Sequence, residues 1–494
     1  MASARELITS LPRRLKADRA AGVSLRLHLD LSGPEGGQWT VSVEAQACGV
    51  QEGLHGLPGC TLRARAEHYA ALELGELNPQ MALLSGKLKV DGIAQLMAFT
   101  KLFRRYRPEA EAPAAPGIRR KPQQGPLLGL RILDLTRLLP GPLATQMLAD
   151  MGAEVIKIEH PDSPDYVRDA PPQQGGISAY FLALNRSKRS IFLPYGSPEG
   201  NRAFLDLVRS ADAVVEQFRP GVLEQAGIGY AAAAAVNPRI CYVSLTGYGQ
   251  SGPYSSLAGH DLNYLAYSGL LARNRDASGR PVIPGVQLAD IASGSYLTVS
   301  AVLAALLGAK ASGQGQHVDV SMAEGMLPLH ALAYAELGAG ASVPPNGQGL
   351  LSGGLVNYRV YPTQDGKWVA LGALEPKFWE AFCDAAGKPE WKPGIVPEQA
   401  AQMGLAAQVE ALFRSQPRAY WAHLGQTADC CLSPVLELEE LDQDSHLVER
   451  NAFIVQQHPE AGEVRGIATP IRFSRTPAQA QWPASASPVD LVEP

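Results

Sequence analysis

The chain has few of the features that mark metal-binding, disulfide-bonded or nucleic-acid-binding proteins. Its 494 residues include six cysteines without a CxxC pair or a Cys/His cluster: Cys48, Cys60, Cys241, Cys383, Cys430 and Cys431. Such scattered cysteines indicate neither a disulfide framework nor a zinc site. Aromatic residues make up 7% of the chain and the formal net charge is −5, which gives no electrostatic basis for binding nucleic acid. We therefore expect no metal and no nucleic-acid partner.

Long apolar runs are also missing. The N-terminal sequence MASARELITSLPRRLKADRAAG interrupts its apolar positions with charge every few residues, unlike a signal peptide. No stretch reaches the roughly twenty apolar residues of a membrane span. The final Leu-Val-Glu-Pro is not a peroxisomal signal of the Ser-Lys-Leu type. These features predict a cytoplasmic protein without a membrane span.

Residues 107–126 separate two predicted folded units. Their sequence, RPEAEAPAAPGIRRKPQQGP, is rich in Pro, Ala and charge and has no apolar periodicity, as in a solvated linker. Before it, residues 1–106 begin with a helical pattern around Leu7, Ile8, Leu11 and Leu15. The alternating segments VSLRLHLDLSG (23–33) and QWTVSVEAQ (38–46) then predict an antiparallel hairpin. The first unit is therefore expected to be an α+β domain.

After the linker, strand and helix patterns alternate. Predicted strands are GLRILDL (129–135), EVIKIE (154–159), AVVEQF (213–218) and ICYVSLTGYG (240–249), with helices GPLATQMLADMG (141–152) and AFLDLVRSA (203–211). This alternation predicts a doubly wound parallel sheet with ligand sites at the carboxyl ends of its strands. No GxGxxG or P-loop motif follows these strands, so a dinucleotide or P-loop nucleotide is not indicated.

A smaller α+β domain is predicted at residues 341–440, where YRVYPTQDGKWVALGAL (358–374) would form two strands around a Gln-Asp-Gly turn. The large domain then comprises residues 127–340 and 441–494.

His260 and Asp290 are the main catalytic candidates. They belong to Gly-His-Asp-Leu-Asn-Tyr (259–264) and Leu-Ala-Asp (288–290), two segments that could face one reacting carbon. One side chain could take a proton while the other returns it. A helix is predicted to begin near Asp290, so the alternative that Asp290 only caps this helix stays open. A lone histidine is likewise more often structural.

Several motifs occur in a fixed order around these two residues. They are LLGLRILDLTRLLPGPLATQMLADMGAEVIKIE (127–159), LNRSKRSIFL (184–193), EQFRPGVLEQAGIGY (216–230), YVSLTGYGQSGP (242–253), GHDLNYLAYSGLL (259–271), LADIASGSY (288–296), GQGQHVDVSMAEG (313–325) and GALEPKFW (372–379). Together they resemble the class III CoA-transferase (CaiB/BaiF-type) superfamily, and within it the α-methylacyl-CoA racemase branch. The resemblance implies an interlocked homodimer whose chains thread through each other.

Two positions favour the racemase branch. Transferases of the superfamily usually have an aromatic residue where this chain has His260, and Glu375 resembles a racemase residue that hydrogen-bonds the catalytic histidine. The implied reaction inverts the α-carbon of a 2-methyl-branched acyl-CoA by His/Asp proton abstraction and return through an enolate. Free N–H groups at the helix beginning near Asp290 could polarise the thioester carbonyl. The alternative is CoA transfer between carboxylic acids through a covalent intermediate on Asp290.

CoA is part of the substrate in either reaction, so no separate cofactor is expected. The resemblance implies nucleotide contacts from Arg219 of the RPG motif and from a basic segment that precedes a strand: Asn185, Arg186, Lys188, Arg189 and Leu193. Guanidinium groups suit phosphate oxygens. A cluster of charge is, however, usually a solvated surface. Arg219 is the stronger candidate because it lies in a loop that follows a strand.

The first unit resembles the type-two sterol carrier protein domain. The resemblance rests on HYAALELGELNPQMALLSGKLKVDGIAQLMAFTKLF (68–103). It implies an apolar tunnel for a lipid or acyl chain, and hence a bulky lipid or steroid side-chain substrate for the enzyme. The alternative is that Leu96, Met97, Phe99 and Phe103 simply fill a core.

Overall fold

The computed structural model describes residues 3–16, 20, 22–74, 77, 82–83, 85–100, 102–103, 124–276, 278–394 and 399–490. Residues 107–123 of the expected linker lie outside this set, as does part of the 68–103 run. The fold is mixed α/β, as predicted.

The N-terminal unit is one five-stranded sheet with helices. Its strands are β1 Leu25–Ser32, β2 Gly37–Glu44, β3 Ala47–Glu52, β4 Cys60–Arg65 and β5 Leu88–Asp91, in the spatial order β3-β2-β1-β4-β5. The predicted hairpin is confirmed, because β1 and β2 pair antiparallel. Helices cover Ala4–Thr9, Leu11–Arg14, Ala66–Glu73 and Ile93–Thr100. The first helical pattern is split in two, because a new helix begins at Leu11 after Ser10, with Pro12 in its first turn.

The large domain contains most of the remaining strands. These are β6 Arg131–Leu135, β7 Glu154–Glu159, the short pair β8 Gln173–Gln174 and β9 Ile177–Ser178, β10 Lys188–Phe192, β11 Ala213–Glu216, β12 Cys241–Thr246 and β13 Gln316–Ser321. Its helices are Pro140–Asp150, Ala179–Leu184, Pro198–Val208, Val222–Gln225, Tyr230–Val236, Asp261–Tyr267, Leu270–Arg273, Leu297–Ser312 and Ala331–Gly338.

The small domain packs helices on a three-stranded antiparallel sheet. Its strands are β14 Tyr358–Pro362, β15 Trp368–Gly372 and β16 Leu432–Pro434, and its helices are Pro376–Ala385, Gln399–Phe413 and Arg418–Ala428. The predicted pair of strands around the Gln-Asp-Gly turn is confirmed. The chain continues through the helix Ser445–Glu449 and the hairpin β17 Phe453–His458 and β18 Gly462–Ile467 to β19 Val489–Asp490.

Seven parallel strands form the large sheet, in the order β13-β12-β11-β6-β7-β10-β19. Strands β11 and β12 are buried along their whole length, as expected for a parallel sheet covered on both faces. From β6 the chain first adds β7 on one side and later adds β11 on the other. Such a reversal opens a crevice between the carboxyl ends of β6 and β11, where open α/β sheets bind ligands.

One helical stretch, Ala289–Ser312, is by length and composition apolar enough to cross a membrane. It connects to β13 and packs against both β12 and β13, the position of a crossover helix in a parallel sheet. In the single chain 39% of its apolar window is buried, so packing on the sheet accounts for part of its apolar character.

Candidate functional site

Asp290 lies in the first turn of a π-helix that runs from Ala289 to Tyr296. Helical turns of this wide kind are rare and are frequent at functional sites. Small side chains let the π-helix lie against its neighbours: a Cβ on Gly294 would come within 2.7 Å of the Cβ of Pro140. Ser295 Oγ donates a hydrogen bond to the Pro140 carbonyl at 2.7 Å. This packing fixes the backbone position of Asp290.

The carboxylate of Asp261 holds the beginning of the π-helix. Its Oδ1 accepts hydrogen bonds from the backbone N–H of Ala289 at 2.7 Å and of Asp290 at 3.0 Å. The expectation that N–H groups here are free to polarise a thioester carbonyl is therefore wrong for these two. The alternative that Asp290 only caps this helix is also wrong, because Asp290 lies within the first turn and the Asp261 carboxylate accepts the first N–H groups.

His260 directly precedes Asp261 and caps the helix Asp261–Tyr267. Its backbone N–H donates to Asn263 Oδ1 at 3.1 Å, and its carbonyl accepts from the N–H of Asn263 at 2.8 Å. The backbone of His260 is thus fixed, while the residue is exposed. Since Asp261 binds the segment that carries Asp290, a hydrogen-bonded junction joins the two candidate segments.

The surroundings of Asp290 favour its neutral form. Burial, reinforced by the negative charge of Asp261, raises the pKa of Asp290 to about 7. A carboxyl group with a pKa near neutrality can both donate and accept a proton. Burial and then the charge of Asp290 raise the pKa of Tyr264, whereas Arg219 acts on it in the opposite direction. Asp290 and Arg219 therefore both lie within electrostatic range of the Tyr264 phenol.

Arg219 is exposed just beyond the carboxyl end of β11, beside the crevice of the sheet. The ring of the preceding residue, Phe218, lies 5.0 Å from the guanidinium of Arg137. Arg137 also donates a hydrogen bond to the Tyr195 hydroxyl at 3.0 Å, and the Tyr195 ring meets Phe218 edge-on at 6.1 Å. Two arginines and two aromatic rings thus lie at one edge of the sheet.

Arg137 and Tyr195 were not among the residues singled out from the sequence. Arg137 follows β6 by two residues, a position at which the carboxyl-end rule could have identified it. Tyr195 contacts Arg137 only because the strand order places β10 two strands from β6, and no local sequence pattern reveals that order.

Three residues of the expected nucleotide-binding segment are buried and have internal partners. Asn185, Arg186 and Lys188 are 1%, 4% and 0% exposed, so the expectation that they contact the nucleotide of CoA is wrong. Arg186 forms an ion pair with Asp150 at 2.8 Å, and Lys188 forms one with Asp134 at 3.0 Å. Buried charges require such partners.

The same Lys188 ammonium also donates to the Pro142 carbonyl and to Asn185 Oδ1, each at 2.9 Å. Burial lowers the pKa of Lys188 to about 8, against the opposing effect of Asp134. This network joins β6 to β10 below the ligand-facing edge and has a structural role.

Arg189 and Leu193 do not form part of the crevice either. Arg189 pairs with Glu154 at 3.0 Å, and both lie at the amino ends of their strands, opposite the edge where ligands bind. Leu193 is 2% exposed within the hydrophobic core. Of the expected CoA contacts, only Arg219 lies exposed at the carboxyl edge.

Glu375 is an exposed residue of the small domain. It follows β15 and caps the helix Pro376–Ala385. Its carboxylate contributes, after burial, to raising the pKa of Cys431. Among the described residues, the hydrogen bonds of His260 and Asp290 do not involve Glu375.

An apolar cavity of about 320 Å³ adjoins the helices next to the His260/Asp290 junction. Its lining is mainly leucine: Leu265, Leu270, Leu271 and Leu288, with Pro284, Arg273 and Asn274. Leu265 belongs to the helix that His260 caps, and Leu288 precedes the π-helix. A cavity of this size and character suits an apolar group.

Comparison with known families agrees with the doubly wound sheet. The chain belongs to CoA-transferase family III, which it matches over residues 127–487, and residues 6–104 match the SCP-2 sterol transfer family.

Curated relatives include two kinds of enzyme at similar identity. The chain is 32% identical to α-methylacyl-CoA racemase of Homo sapiens over 337 residues, which cover 68% of this chain and 84% of the relative. It is also 32% identical to succinate–glutarate CoA-transferase of Agrobacterium fabrum over 386 residues, 74% of this chain and 93% of the relative. Identity alone therefore does not separate racemase from transferase.

Solved structures agree with the fold. A CAIB/BAIF family protein from Brucella suis is 29% identical, with a TM-score of 0.64 over 74% of this chain and 96% of that chain. The Rv3272 protein from Mycobacterium tuberculosis is 29% identical, with a TM-score of 0.62 over 74% and 97%. The predicted superfamily is thereby confirmed.

Proposed function

We propose that the enzyme is an acyl-CoA racemase that inverts the α-carbon of 2-methyl-branched acyl-CoA thioesters. The observation that carries this proposal is the Asp261 carboxylate. It follows His260 in the chain and binds the backbone of Asp290, so it links the two segments that carry the proposed bases. The reaction uses CoA only as part of the substrate and needs no other cofactor.

The chemistry is a two-base proton transfer. One of the pair His260 and Asp290 removes the α-hydrogen, leaving the electron pair in a thioester enolate, and the other donates a proton to the opposite face. The original C–H bond breaks, a new one forms, and no group leaves. A single base would return the proton to the face from which it came. Inversion therefore requires acid and base roles that exchange with the direction of reaction.

The pKa of Asp290, about 7, supports this reaction over CoA transfer. A residue that alternates between acid and base works best with a pKa near the working pH. A nucleophilic carboxylate must be ionised when it attacks a thioester, and burial beside Asp261 opposes that state. CoA transfer through a covalent intermediate on Asp290 remains the second candidate, because transferases are equally similar in sequence.

CoA would bind at the arginine-aromatic edge of the sheet. Arg219 and Arg137 offer guanidinium groups to phosphates, and the rings of Phe218 and Tyr195 offer surfaces on which an adenine can stack. The apolar cavity beside Leu265 and Leu288 would take an acyl group. The N-terminal domain would hold the bulky lipid or steroid part of such substrates.

A homodimer would complete the site. The segment that follows β13 exposes many large apolar side chains: Leu327, Leu329, Leu332, Tyr334, Leu337, Leu350 and Leu351. Exposed apolar surface of this kind is typical of protein interfaces. In an interlocked dimer, Glu375 of one chain would reach His260 of the other.

The test is incubation of a single epimer of a 2-methylacyl-CoA in deuterated water without an acceptor acid. Mass analysis should show deuterium at the α-carbon, and chiral analysis should show that the two epimers equilibrate. Exchange that depends on an added carboxylate, or faster movement of CoA to that acid, would instead identify a transferase.

A further inference from the structure

Glu216 is the last residue of β11 and lies at the crevice, between β6 and β12. It is 5% exposed, and its Oε2 accepts a hydrogen bond from the backbone N–H of Phe218 at 2.7 Å. An ionised carboxylate accepts such a bond more strongly than a neutral one. Glu216 therefore acts on the backbone of the loop that presents Phe218 and Arg219.

Two further residues connect Glu216 to solvent. Ser244 is the residue directly opposite Glu216 on β12, and its hydroxyl acts to lower the pKa of the Glu216 carboxyl group. The same hydroxyl lies 2.9 Å from Nε2 of His317, an exposed residue of β13. The His317 ring is held in place because it stacks on Tyr230 at 5.3 Å and meets Tyr242 edge-on at 5.8 Å. His317, Ser244 and Glu216 thus follow one another on neighbouring strands from the surface to the ligand-facing loop.

The serine hydroxyl has one proton, so hydrogen bonds along these three side chains can run in two alternative directions. With Glu216 ionised, Ser244 donates to Glu216 and accepts from His317 Nε2–H. With Glu216 protonated and donating to Ser244, the hydroxyl proton turns toward an unprotonated Nε2 of His317. Only the first state gives the Phe218 N–H a charged acceptor.

We propose that His317, Ser244 and Glu216 form a relay that positions the loop Gln217–Arg219 and makes its binding of CoA depend on pH. These are positioning residues, and the proposal rests on the proposed function, in which this loop binds the nucleotide of an acyl-CoA. The same loop is anchored on its other side, since Gln217 Oε1 accepts from the Gly141 N–H at 3.2 Å.

Burial, together with the groups that face Glu216, determines the pKa of its carboxyl group. Burial raises the pKa of Glu216 to about 7, against the opposing effects of Ser244 and the Phe218 N–H, and the charge of Glu224 raises it further. On β12, Tyr242 also faces the Glu216 carboxyl group. The pKa of the Tyr242 phenol is raised mainly by burial and secondly by the charge of Glu216. On β6, the residue opposite Glu216 is the uncharged Leu135.

The test is titration calorimetry of CoA binding to the full chain between pH 5.5 and 8.5. For wild type we expect affinity to fall by about three- to tenfold as the pH drops through 7. Glu216→Gln should bind with the weaker, acidic affinity across the range. Ser244→Ala and His317→Phe should move the midpoint to higher pH, because each removes a donor that favours ionised Glu216. Phenylalanine keeps the stacking on Tyr230.

The control is His446→Phe, at an exposed histidine of the helix Ser445–Glu449, which should follow wild type. Protonation of CoA itself affects every variant equally. The affinity of each variant is therefore compared with that of wild type at the same pH. Variants whose pH dependence coincides with that of wild type would overturn the relay and leave the proposed function standing. Wild type that fails to bind CoA at every pH would overturn the proposed function, and the relay with it.

Discussion

Asp261 and Asp290 are related in two ways at once. Asp261 Oδ1 accepts the backbone N–H of Asp290 at 3.0 Å, and the charge of Asp261 helps burial to raise the pKa of Asp290 to about 7. One carboxylate thus positions the other and adjusts its acidity. The two effects are separable, because asparagine keeps the acceptor oxygen and loses the charge.

The matched pair Asp261→Asn and Asp261→Ala should give different defects. In Asp261→Asn, loss of the negative charge lowers the pKa of Asp290, so the Asp290 limb of the kcat/KM profile moves to lower pH. In Asp261→Ala, two N–H groups lose their acceptor, which costs about 1–3 kcal/mol each where they are buried, and activity should fall well below that of the asparagine variant. Identical profiles for both variants and wild type would show that Asp261 neither positions Asp290 nor raises its pKa.

Asp290→Asn should gain stability as it loses activity. The folded pKa of Asp290, about 7, lies above the ordinary carboxyl value of about 3.9, so the folded chain holds this proton more tightly than the unfolded chain. The contribution of Asp290 to stability is therefore present below about pH 4 and is lost as the pH rises through 7. Asparagine avoids that loss.

Urea unfolding should accordingly show Asp290→Asn more stable than wild type by on the order of 1–3 kcal/mol at pH 8, with a smaller difference at pH 5. If the stability difference between Asp290→Asn and wild type is the same at both pH values, or if the variant is less stable than wild type at pH 8, the raised pKa of Asp290 is contradicted.

The sequence predicted the parts of the site that depend on local pattern. The helix beginning near Asp290 and the loop position of Arg219 follow from motifs or from a strand end, whereas the pairing of the His260 and Asp290 side chains stays a prediction. The role of Asp261 was not predicted, because its partners are 28 and 29 residues away and a carboxylate beside a histidine has no distinctive local signal.

The basic segment was misinterpreted for a related reason. Arg186 and Lys188 look like a surface cluster in sequence, but their acidic partners Asp150 and Asp134 come from elements that only the parallel sheet brings together. A charge pattern shows which residues are ionisable. It does not show whether the fold supplies a partner and buries both.

Charge placed on the exposed apolar segment should prevent dimer formation. Leu332 and Leu337 are 67% and 57% exposed in the single chain. We expect wild type to have the mass of a dimer in size-exclusion chromatography with light scattering, and Leu332→Glu with Leu337→Glu to shift it to a monomer. Leu57→Glu is the matched control, since Leu57 is 91% exposed in the N-terminal domain. If wild type is a monomer, the interlocked dimer and the proposed role of Glu375 are both contradicted.

The N-terminal domain should matter for bulky substrates. A lipid-binding unit joined to the enzyme raises the local concentration of the acyl chain that it holds. Deleting residues 1–120 should leave activity on a short 2-methylacyl-CoA nearly unchanged and raise KM for a sterol-derived thioester. Equal kinetics of both proteins on both substrates would show that the domain serves solubility or assembly instead.

The most direct test of the two-base account follows deuterium exchange separately from each pure epimer, in wild type, His260→Ala and Asp290→Asn. Wild type should exchange and invert both epimers without an acceptor acid. Each variant should lose inversion by orders of magnitude and keep exchange from only one epimer, with the two variants retaining opposite epimers. Loss of exchange from the same epimer in both variants, or near-normal inversion by Asp290→Asn, would contradict the assignment of His260 and Asp290 to opposite faces of the α-carbon.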